Sequence, residues 1–361
     1  MLFVLILAGV IWGIGWLMKA PIRLRLVMIA VLWVAVVAAH VVLPPGNPLR
    51  QATGGSAASW LVLGGVAALI ATYGRVLGRL RRRAEPDPAG PTPAPDPKAP
   101  FTPAELDRYA RHILLREIGG PGQRQLKAAS VLVIGAGGLG APALLYLAAS
   151  GVGRIGVIDD DLVEPSNLQR QIIHADDRIG LPKAQSAAQT MRALNPHIEV
   201  RSYTRRLTEE IADALFSDHD LILDGTDNFD TRYLTNAVAV RQGKPLIAAA
   251  ITQWEGQISL YDPARGGPCY ACVFPVRPAP GVVPTCAEAG VAAPLPGVLG
   301  SMMALEAVKH LTGAGETLRG KMLLFDGLHS ENRLIRVNRR ADCPICGAEA
   351  AGGWTAPDAA Q

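Results

Sequence analysis

The sequence predicts an α/β fold in which a doubly wound, mostly parallel sheet is extended by antiparallel strands and preceded by about three transmembrane helices. Between residues 130 and 250, short apolar segments alternate with amphipathic helical segments, which is typical of a parallel sheet covered by helices on both faces. Beyond residue 255, apolar and polar residues alternate as in antiparallel strands. Before residue 80, three apolar runs approach the length of a membrane span.

These patterns place the individual elements. Parallel strands are expected at 130–134, 154–158, 198–203, 220–224 and 245–250, with helices at 139–150, 182–194, 208–216 and 229–242. Antiparallel strands are expected at 256–261, 321–326 and 332–337, and a helix near 297–312 lies among them.

The apolar runs cover residues 1–18, 26–43 and about 57–77. Each approaches the roughly 20 residues that span a hydrocarbon core. The first run has neither a basic n-region nor a cleavage site, so we expect an anchor rather than a signal peptide. Because each run is slightly short, two spans with one interfacial segment are the alternative.

Charge is distributed unevenly along the chain. Residues 1–84 contain nine Lys/Arg and no Asp or Glu, whereas the whole chain carries +4, so the remainder is mildly acidic and an unlikely match for nucleic acid. The basic residues flank the apolar runs and meet anionic lipid at the membrane surface. The positive-inside bias then predicts a multi-pass protein of the cell (inner) membrane whose large C-terminal part is cytoplasmic.

Composition divides the chain into four parts. Residues 1–80 form the membrane anchor, and residues 81–100 are a Pro/Ala-rich linker that favours extended polyproline structure. Residues 101–348 contain the α/β domain. Residues 349–361 are expected to be a disordered tail.

The segment "VLVIGAGGLG", residues 131–140, joins a predicted strand to a glycine-rich turn. Its glycines fit the GxGxxG pattern, in which the backbone approaches a phosphate at a helix N-terminus. Asp159 ends the second predicted strand, at the spacing of an acid that binds a ribose hydroxyl. Because NAD and ATP both contain an adenosine ribose, these residues predict a Rossmann-like adenosine-phosphate site without separating the two ligands.

The polar residues that follow favour ATP. Asn167, Arg170 and Lys183 come after Asp159, and clustered cations suit a triphosphate better than a nicotinamide ring. Asp227, in "DGTDN", is expected to end the fourth strand, where a carboxylate suits Mg²⁺. Either cation alone would be interpreted as a solvated surface charge, but the group together predicts a Mg-ATP site.

Four of the five cysteines form two CxxC pairs, Cys269/Cys272 and Cys343/Cys346. Four thiolates are the ligand set of a closed, structural Zn²⁺ site, with free thiols or a redox pair as the alternative. Cys286 is left over. It is either a small buried hydrophobe or a nucleophile that accepts an acyl group or handles sulfur.

Several runs together resemble the ThiF/MoeB/HesA family, whose members are similar to the adenylation domain of ubiquitin-activating enzymes. The resemblance covers about residues 101–348 and is carried by "RYARHILLREIG", "VLVIGAGGLGAPALLYLAASGVG", "SNLQRQIIH", "IGLPKA", "DGTDNFDTRYLTN", "EGQISLY", "GPCYACVFP", "PTCAEAGV" and "CPICG". It implies that the chain is an adenylyltransferase. Such an enzyme uses Mg-ATP to adenylate the C-terminal glycine of a ubiquitin-like sulfur-carrier protein ending in Gly-Gly.

The resemblance also implies roles for individual residues. It places Gly138 at the phosphates, Asp159 at the ribose, and Arg111 as an arginine that reaches the ATP of the other subunit of a homodimer. Cys286 falls where the family has its candidate active cysteine. The remaining nucleotide-binding positions are Ser166, Asn167, Leu168, Gln169, Arg170, Lys183, Asp227 and Asn228.

Partners and alternatives follow from the same motifs. No rhodanese-like domain follows the last cysteines, so we expect a separate sulfur donor, either a rhodanese or a cysteine desulfurase. The pathway stays open among molybdopterin, thiamine, cysteine synthesis and tRNA thiolation. The competing hypotheses are an NAD-dependent oxidoreductase, a non-enzymatic membrane-tethered nucleotide sensor, and an ATP-dependent tRNA-modifying cyclase.

Overall fold

The computed structural model describes residues 1–44, 46–54, 56–84, 100–278 and 286–347. The chain divides into two compact units, Met1–Gly90 and Pro91–Gln361. The boundary falls inside the predicted Pro/Ala linker. Most of this linker and the predicted tail, 349–361, lie outside the described residues.

The N-terminal unit consists of apolar helices, namely α1 (Leu2–Leu17), α2 (Ile22–Val42), α3 (Pro48–Thr53) and α4 (Ala57–Ala84). Among the described residues, two stretches are long and apolar enough to cross a membrane, Leu24–Val42 and Ala57–Gly74. α1 has 16 residues. At 1.5 Å per residue it is about 24 Å long, less than the roughly 30 Å of a hydrocarbon core. The expectation of about three spans is therefore corrected to two candidate spans and a shorter apolar helix.

Most apolar side chains of this unit point outward. Leu69, for example, is 70% exposed, and the same holds along α1, α2 and α4. The buried cluster in the described part of the unit is small and consists of Val4, Val36 and Trp60. The Trp60 indole N–H donates to the carbonyl oxygen of Gly54 at 2.9 Å. Helices that expose this much apolar surface fit an apolar solvent better than water.

The second unit alternates strands and helices, as the sequence predicts. Its elements are α5 (Pro103–Ile113), α6 (Gly119–Ala128), β1 (Ser130–Ile134), α7 (Gly140–Ser150), β2 (Arg154–Ile158), α8 (Lys183–Leu194), β3 (Glu199–Tyr203), α9 (Glu209–Ser217), β4 (Leu221–Asp224), α10 (Phe229–Arg241), β5 (Leu246–Ile251), β6 (Glu255–Tyr261), α11 (Tyr270–Val273), α12 (Cys286–Ala289), α13 (Pro294–Thr312), β7 (Lys321–Asp326) and β8 (Glu331–Arg336). The observed strands begin and end within one residue of the predicted ones.

The described strands form one sheet in the order β3-β2-β1-β4-β5-β6-β7-β8. Neighbouring strands from β3 to β5 are parallel, and those from β5 to β8 are antiparallel. This confirms a mixed α/β sheet. The chain runs outward from β1 to β3 and then returns to β4 beside β1, so the strand order reverses between β1 and β4. Ligands of open α/β sheets bind outside the carboxyl ends of the strands at such a reversal.

Both faces of the parallel part are buried. In β1, Val131 and Val133 pack in a cluster with α7, α8 and α13, while Leu132 and Ile134 pack in a second cluster with α9 and α10. Alternate side chains of a strand point to opposite faces, so a strand covered on both sides reads as a continuous apolar run. The sheet is therefore doubly covered, as its unbroken apolar strands predict.

α13 packs closely against the start of α7. A Cβ atom at Gly300 would lie 2.2 Å from the carbonyl oxygen of Leu139, so this approach requires glycine. A Cβ atom at Gly138 would lie 3.0 Å from Pro296, in the first turn of α13. α13 thus supports the glycine-rich turn from one side.

Candidate nucleotide site and cysteine cluster

The glycine-rich turn connects β1 to α7. Gly135 has a φ of 90°, and a Cβ atom at Gly140 would lie 1.9 Å from the Gly135 carbonyl oxygen, so both positions require glycine. Among the described residues, no acceptor contacts the amide N–H groups of Gly137 and Gly138. Unpaired amides at the start of a helix bind anions, so the turn fits a nucleotide phosphate.

Asp159 directly follows β2, as predicted, and its carboxylate holds the turn. Oδ2 accepts a hydrogen bond from the amide of Ala136 at 2.7 Å, and Oδ1 accepts one from the amide of Asp161 at 2.9 Å. Burial raises the pKa of Asp159, although these two amides and the Lys183 ammonium act in the opposite direction. Asp159 therefore lies at the site and also organises it.

The segment "SNLQR" follows Asp159 and reaches the same turn. The Arg170 guanidinium donates to Oδ1 of Asn167 at 3.1 Å and to the carbonyl oxygen of Ser166 at 3.3 Å. A Cβ atom at Gly138 would lie 3.8 Å from Cδ of Arg170, so the structure brings Arg170 to the glycine-rich turn as predicted. Leu168 is half-buried and Gln169 is exposed.

Lys183 begins α8 and is 5% exposed. Its Nζ atom lies 2.7 Å from Oδ2 of Asp161, whose side chain is 66% exposed. The sequence reasoning did not single out Asp161. The ammonium group thus already has a carboxylate partner, which lies two residues after Asp159 in the chain.

Asp227 is not the last residue of its strand, which corrects the sequence prediction. β4 ends at Asp224, a buried residue whose Oδ1 accepts from the amide and hydroxyl of Thr226 at 2.9 and 2.6 Å. Asp227 lies three residues further on, in the loop before α10, and is exposed. Thr226 lies 3.5 Å from a Cβ atom placed at Gly135, so this loop borders the glycine-rich turn.

Asn228 caps α10, because its Oδ1 accepts from the amide of Thr231 at 2.8 Å. This hydrogen bond uses the side-chain oxygen of Asn228, a residue that is predicted from the sequence to bind the nucleotide. Arg232, on the first turn of α10, is buried and donates to the carbonyl oxygens of Thr226 and Ala249. It therefore fixes the loop that carries Asp227, a role that sequence reasoning missed because both acceptors belong to the backbone.

Arg111 lies in the last turn of α5 and is exposed. In the part of the chain that the structure describes, it has no hydrogen-bond or ion-pair partner, and it does not meet the other predicted site residues. This guanidinium is therefore unpaired among the described residues of its own chain.

His174 is a further residue at this site that sequence reasoning did not single out. It is 7% exposed, and its ring nitrogens lie 2.9 Å from the Ala136 carbonyl oxygen and 3.0 Å from the Ser186 hydroxyl. No spacing in the sequence marks it, because its partners come from distant segments. Gln171 nearby is 4% exposed, and its Oε1 has no donor among the described residues.

The two CxxC pairs meet in one buried cluster. Sγ of Cys269 lies 3.8 Å from Cys272 and 3.6 Å from Cys343, and Sγ of Cys272 lies 3.4 Å from Cys346. All four sulfur atoms lie within 4.8 Å of one another. The prediction that these four residues come together is confirmed, and the cluster could hold a metal ion.

Cys286 is the first residue of α12. Its side chain lies outside the described part of the structure, as do residues 279–285 before it. Its predicted catalytic role therefore stays a prediction.

Comparisons with known proteins agree with this geometry. The model of the ThiF family matches residues 109–345. The chain is 49% identical over 253 residues to the sulfur carrier protein adenylyltransferase of Thermus thermophilus, covering 69% of this chain and 93% of that protein. It is 46% identical over 284 residues to the mouse adenylyltransferase and sulfurtransferase MOCS3, covering 76% of this chain and 62% of that protein.

A solved structure has the same fold. E. coli MccB, crystallised with AMPCPP and MccA, aligns with a TM-score of 0.60 at 24% identity, over 67% of this chain and 74% of that one. At this identity the likeness concerns the fold alone. The family match, however, covers well over half of the chain and includes the glycine-rich turn and three of the four clustered cysteines. The chain therefore belongs to the ThiF family.

Proposed function

We propose that this chain adenylates the C-terminal glycine of a ubiquitin-like sulfur-carrier protein, using ATP and releasing pyrophosphate. The main support is structural: the amides of Gly137 and Gly138, which have no acceptor among the described residues, lie with Asp159 and Arg170 where the strand order reverses. The chain is also 49% identical to a sulfur carrier protein adenylyltransferase. The reaction activates the carrier for sulfur transfer in cofactor or related sulfur biosynthesis.

The chemical step forms one bond and breaks one. A carboxylate oxygen of the carrier's terminal glycine attacks the α-phosphorus of ATP. The bond from that phosphorus to the oxygen bridging to the β-phosphate breaks, and pyrophosphate leaves with the electron pair. Because an α-carboxylate is already ionised at neutral pH, no general base is needed. The protein contributes positioning and charge stabilisation.

Arg170 and Lys183 supply positive charge for the leaving pyrophosphate. Lys183 is paired with Asp161, whose carboxylate is largely exposed and can turn to water. We infer that the triphosphate competes with Asp161 for the Lys183 ammonium group. The ion pair then keeps this buried cation in place between turnovers.

Asp227 would hold magnesium. Its carboxylate is exposed beside the glycine-rich turn, and oxygen ligands of this kind suit Mg²⁺. When bound, the ion neutralises charge on the phosphates.

The cysteine cluster fits a structural zinc ion. Four sulfur atoms around zinc at about 2.3 Å lie about 3.8 Å apart in a tetrahedron. Three of the observed sulfur–sulfur separations, 3.4 to 3.8 Å, agree with this spacing, and all of them are within 4.8 Å. All four cysteines are buried, which leaves no open coordination position and supports a structural role.

A homodimer would complete the nucleotide site. Arg111 is exposed and has no partner in the described part of its own chain, as expected of a side chain that acts on another subunit. A planar guanidinium is well suited to phosphate recognition. We propose that Arg111 of one subunit reaches the ATP of the other.

Sulfur would come from a separate donor, a rhodanese or a cysteine desulfurase. MOCS3, named an adenylyltransferase and sulfurtransferase, is matched over 62% of its length. A cysteine thiolate displaces AMP to form a thioester, and the donor's persulfide then displaces that thiolate to form an acyl disulfide. A second thiol attacks the donor-side sulfur, which releases the carrier thiocarboxylate and leaves a disulfide. Cys286 is the proposed acceptor of the carrier's acyl group during this transfer.

The N-terminal unit would anchor the enzyme in the cell membrane. If both candidate spans cross, the basic segments at 19–25 and 75–83 lie on one side of them, and the segment 43–56 lies on the other. The positive-inside rule then favours a cytoplasmic second unit. Alkaline carbonate extraction of cell membranes tests this: release of the full chain into the supernatant would contradict it.

The decisive measurement is exchange of labelled pyrophosphate into ATP with purified full-length chain. We expect exchange only when a carrier ending in Gly-Gly is present, and none with the same carrier lacking its last glycine. Exchange driven by tRNA would favour the modifying cyclase. Nicotinamide reduction without exchange would favour the oxidoreductase, and no reaction with any carrier would favour the nucleotide sensor.

A further inference from the structure

His174 joins the glycine-rich turn to α8. Its Nε2 lies 2.9 Å from the carbonyl oxygen of Ala136, and its Nδ1 lies 3.0 Å from the hydroxyl of Ser186. Ser186 lies in the first turn of α8, three residues after Lys183. One imidazole therefore connects the backbone that faces the phosphates with the helix that begins at Lys183.

The hydrogen bonds fix the tautomer of the ring. A carbonyl oxygen only accepts, so Nε2 carries the proton, and Nδ1 accepts from the Ser186 hydroxyl. Burial lowers the pKa of His174 to about 4, and the nearby Lys183 and Arg178 act in the same direction. The ring is therefore neutral at pH 7, with a single donor directed at Ala136.

This donor also determines where the next amide points. In a planar trans peptide the C=O and the following N–H point in opposite directions, and the described residues contain no cis peptide. Because the Ala136 carbonyl is bound to His174, the N–H of Gly137 points away from His174. The N–H of Ala136 is itself bound to Asp159 at 2.7 Å, so both sides of Ala136 are fixed.

We propose that His174 is a positioning residue: it orients the peptide between Ala136 and Gly137 so that the Gly137 amide faces the nucleotide phosphates, and it couples this turn to α8. The proposal rests on the proposed function for the identity of the ligand. Removal of the donor leaves a buried carbonyl oxygen unsatisfied and allows the peptide to rotate. The loss then appears in nucleotide binding.

The test compares substitutions of two buried histidines in the full-length chain in lipid nanodiscs. His174→Leu removes the donor, whereas His174→Gln keeps an N–H donor of similar reach. His219→Leu is the matched control, because His219 is 1% exposed and its Nδ1 binds the Leu215 carbonyl oxygen at 2.7 Å, against another helix. The measurements are the Kd of ATP, the KM of ATP and kcat in pyrophosphate exchange, and Tm.

We expect His174→Leu to raise the Kd and KM of ATP about tenfold or more, and His174→Gln to restore them to within about threefold of the unsubstituted chain. His219→Leu should lower Tm and leave both constants unchanged. Equal effects of the two leucine substitutions on ATP binding would overturn the proposal, as would failure of glutamine to restore it.

Nitrogen NMR of the histidine rings gives a readout on the unsubstituted chain that does not depend on activity. At pH 7 the His174 signal, assigned by its loss in His174→Gln, should be that of a neutral ring protonated at Nε2. A charged ring or the Nδ1–H tautomer would overturn the proposal. If the unsubstituted chain binds ATP but shows no exchange, the proposed function fails, while the Kd comparison and the NMR signal still test His174.

Discussion

The nucleotide edge of the sheet and the cysteine cluster lie in one unit but are built in opposite ways. At the nucleotide edge, Asp227 is exposed, and the amides of Gly137 and Gly138 have no acceptor among the described residues. In the cluster, all four cysteines are buried and within 4.8 Å of one another. A site that binds molecules from solution keeps donors and charged groups available to them. A site whose ligand groups all come from the chain itself can be buried. Substitutions at the nucleotide edge should therefore lower the reaction rate, whereas substitutions in the cysteine cluster should lower the stability of the fold.

The largest effect is expected for Asp227→Ala. Loss of a carboxylate that organises charge around the phosphates should lower the exchange rate about 100- to 1000-fold, since single electrostatic groups of an active site contribute that much. Tm should stay the same, because the side chain is exposed. Asp176→Ala, at another exposed acid outside the site, is the matched control for activity. A fall in Tm equal to that of a cluster mutant would break the comparison.

Next in size is Cys343→Ser. Loss of one ligand should release zinc and lower Tm by about 10 °C, because binding energy at a structural metal site is folding energy. Zinc content by mass spectrometry and thermal unfolding check this together. Cys286→Ser, the fifth cysteine, should leave both unchanged. A zinc-free chain with unaltered Tm would show that the cluster does not stabilise the fold.

The third prediction concerns what completes the open site. Arg111→Ala and Asp227→Ala chains should each be nearly inactive, yet unfolding and refolding the two together should restore about a quarter of the activity. In a two-fold dimer, half of the molecules are then mixed, and each mixed dimer has one intact site. Mixing two batches of Arg111→Ala is the control. If mixing restores nothing, Arg111 does not act across subunits.

The smallest expected effect is a thermal shift. Saturating Mg-ATP should raise Tm by a few degrees, because a ligand at about 100 times its Kd stabilises the folded state by roughly 2.7 kcal/mol. Added zinc should give no shift in the chain purified with its metal, since the closed cluster is already complete. A shift with NAD and none with ATP would instead favour the oxidoreductase.

The sheet could be predicted from the sequence because burial on both faces makes its parallel strands unbroken apolar runs. The four cysteines could also be predicted from the sequence, because thiol groups spaced as two CxxC pairs indicate a metal site. His174 and Arg232 were missed because their acceptors are mainly backbone carbonyls, which carry no residue identity.

The misplacement of Asp227 at a strand end has a different cause. "DGTDN" contains two aspartates, and either can follow a strand. Asp224 is the buried one, because the amide and hydroxyl of Thr226 satisfy its carboxylate. Periodicity alone does not distinguish an inward carboxylate with local donors from an exposed one. The number of spans was overestimated because the apolar run of α1 yields a helix of 16 residues.

The order of the segments along the chain has a consequence for biosynthesis. The candidate spans end at Gly74, whereas the last two clustered cysteines are Cys343 and Cys346, near the C-terminus. During synthesis the candidate spans therefore leave the ribosome long before the residues that close the cluster. α13, which supports the glycine-rich turn, lies within the loop that the cluster closes. We expect nascent chains to reach the membrane while still unable to bind ATP, and to acquire this ability only after release and loading with metal.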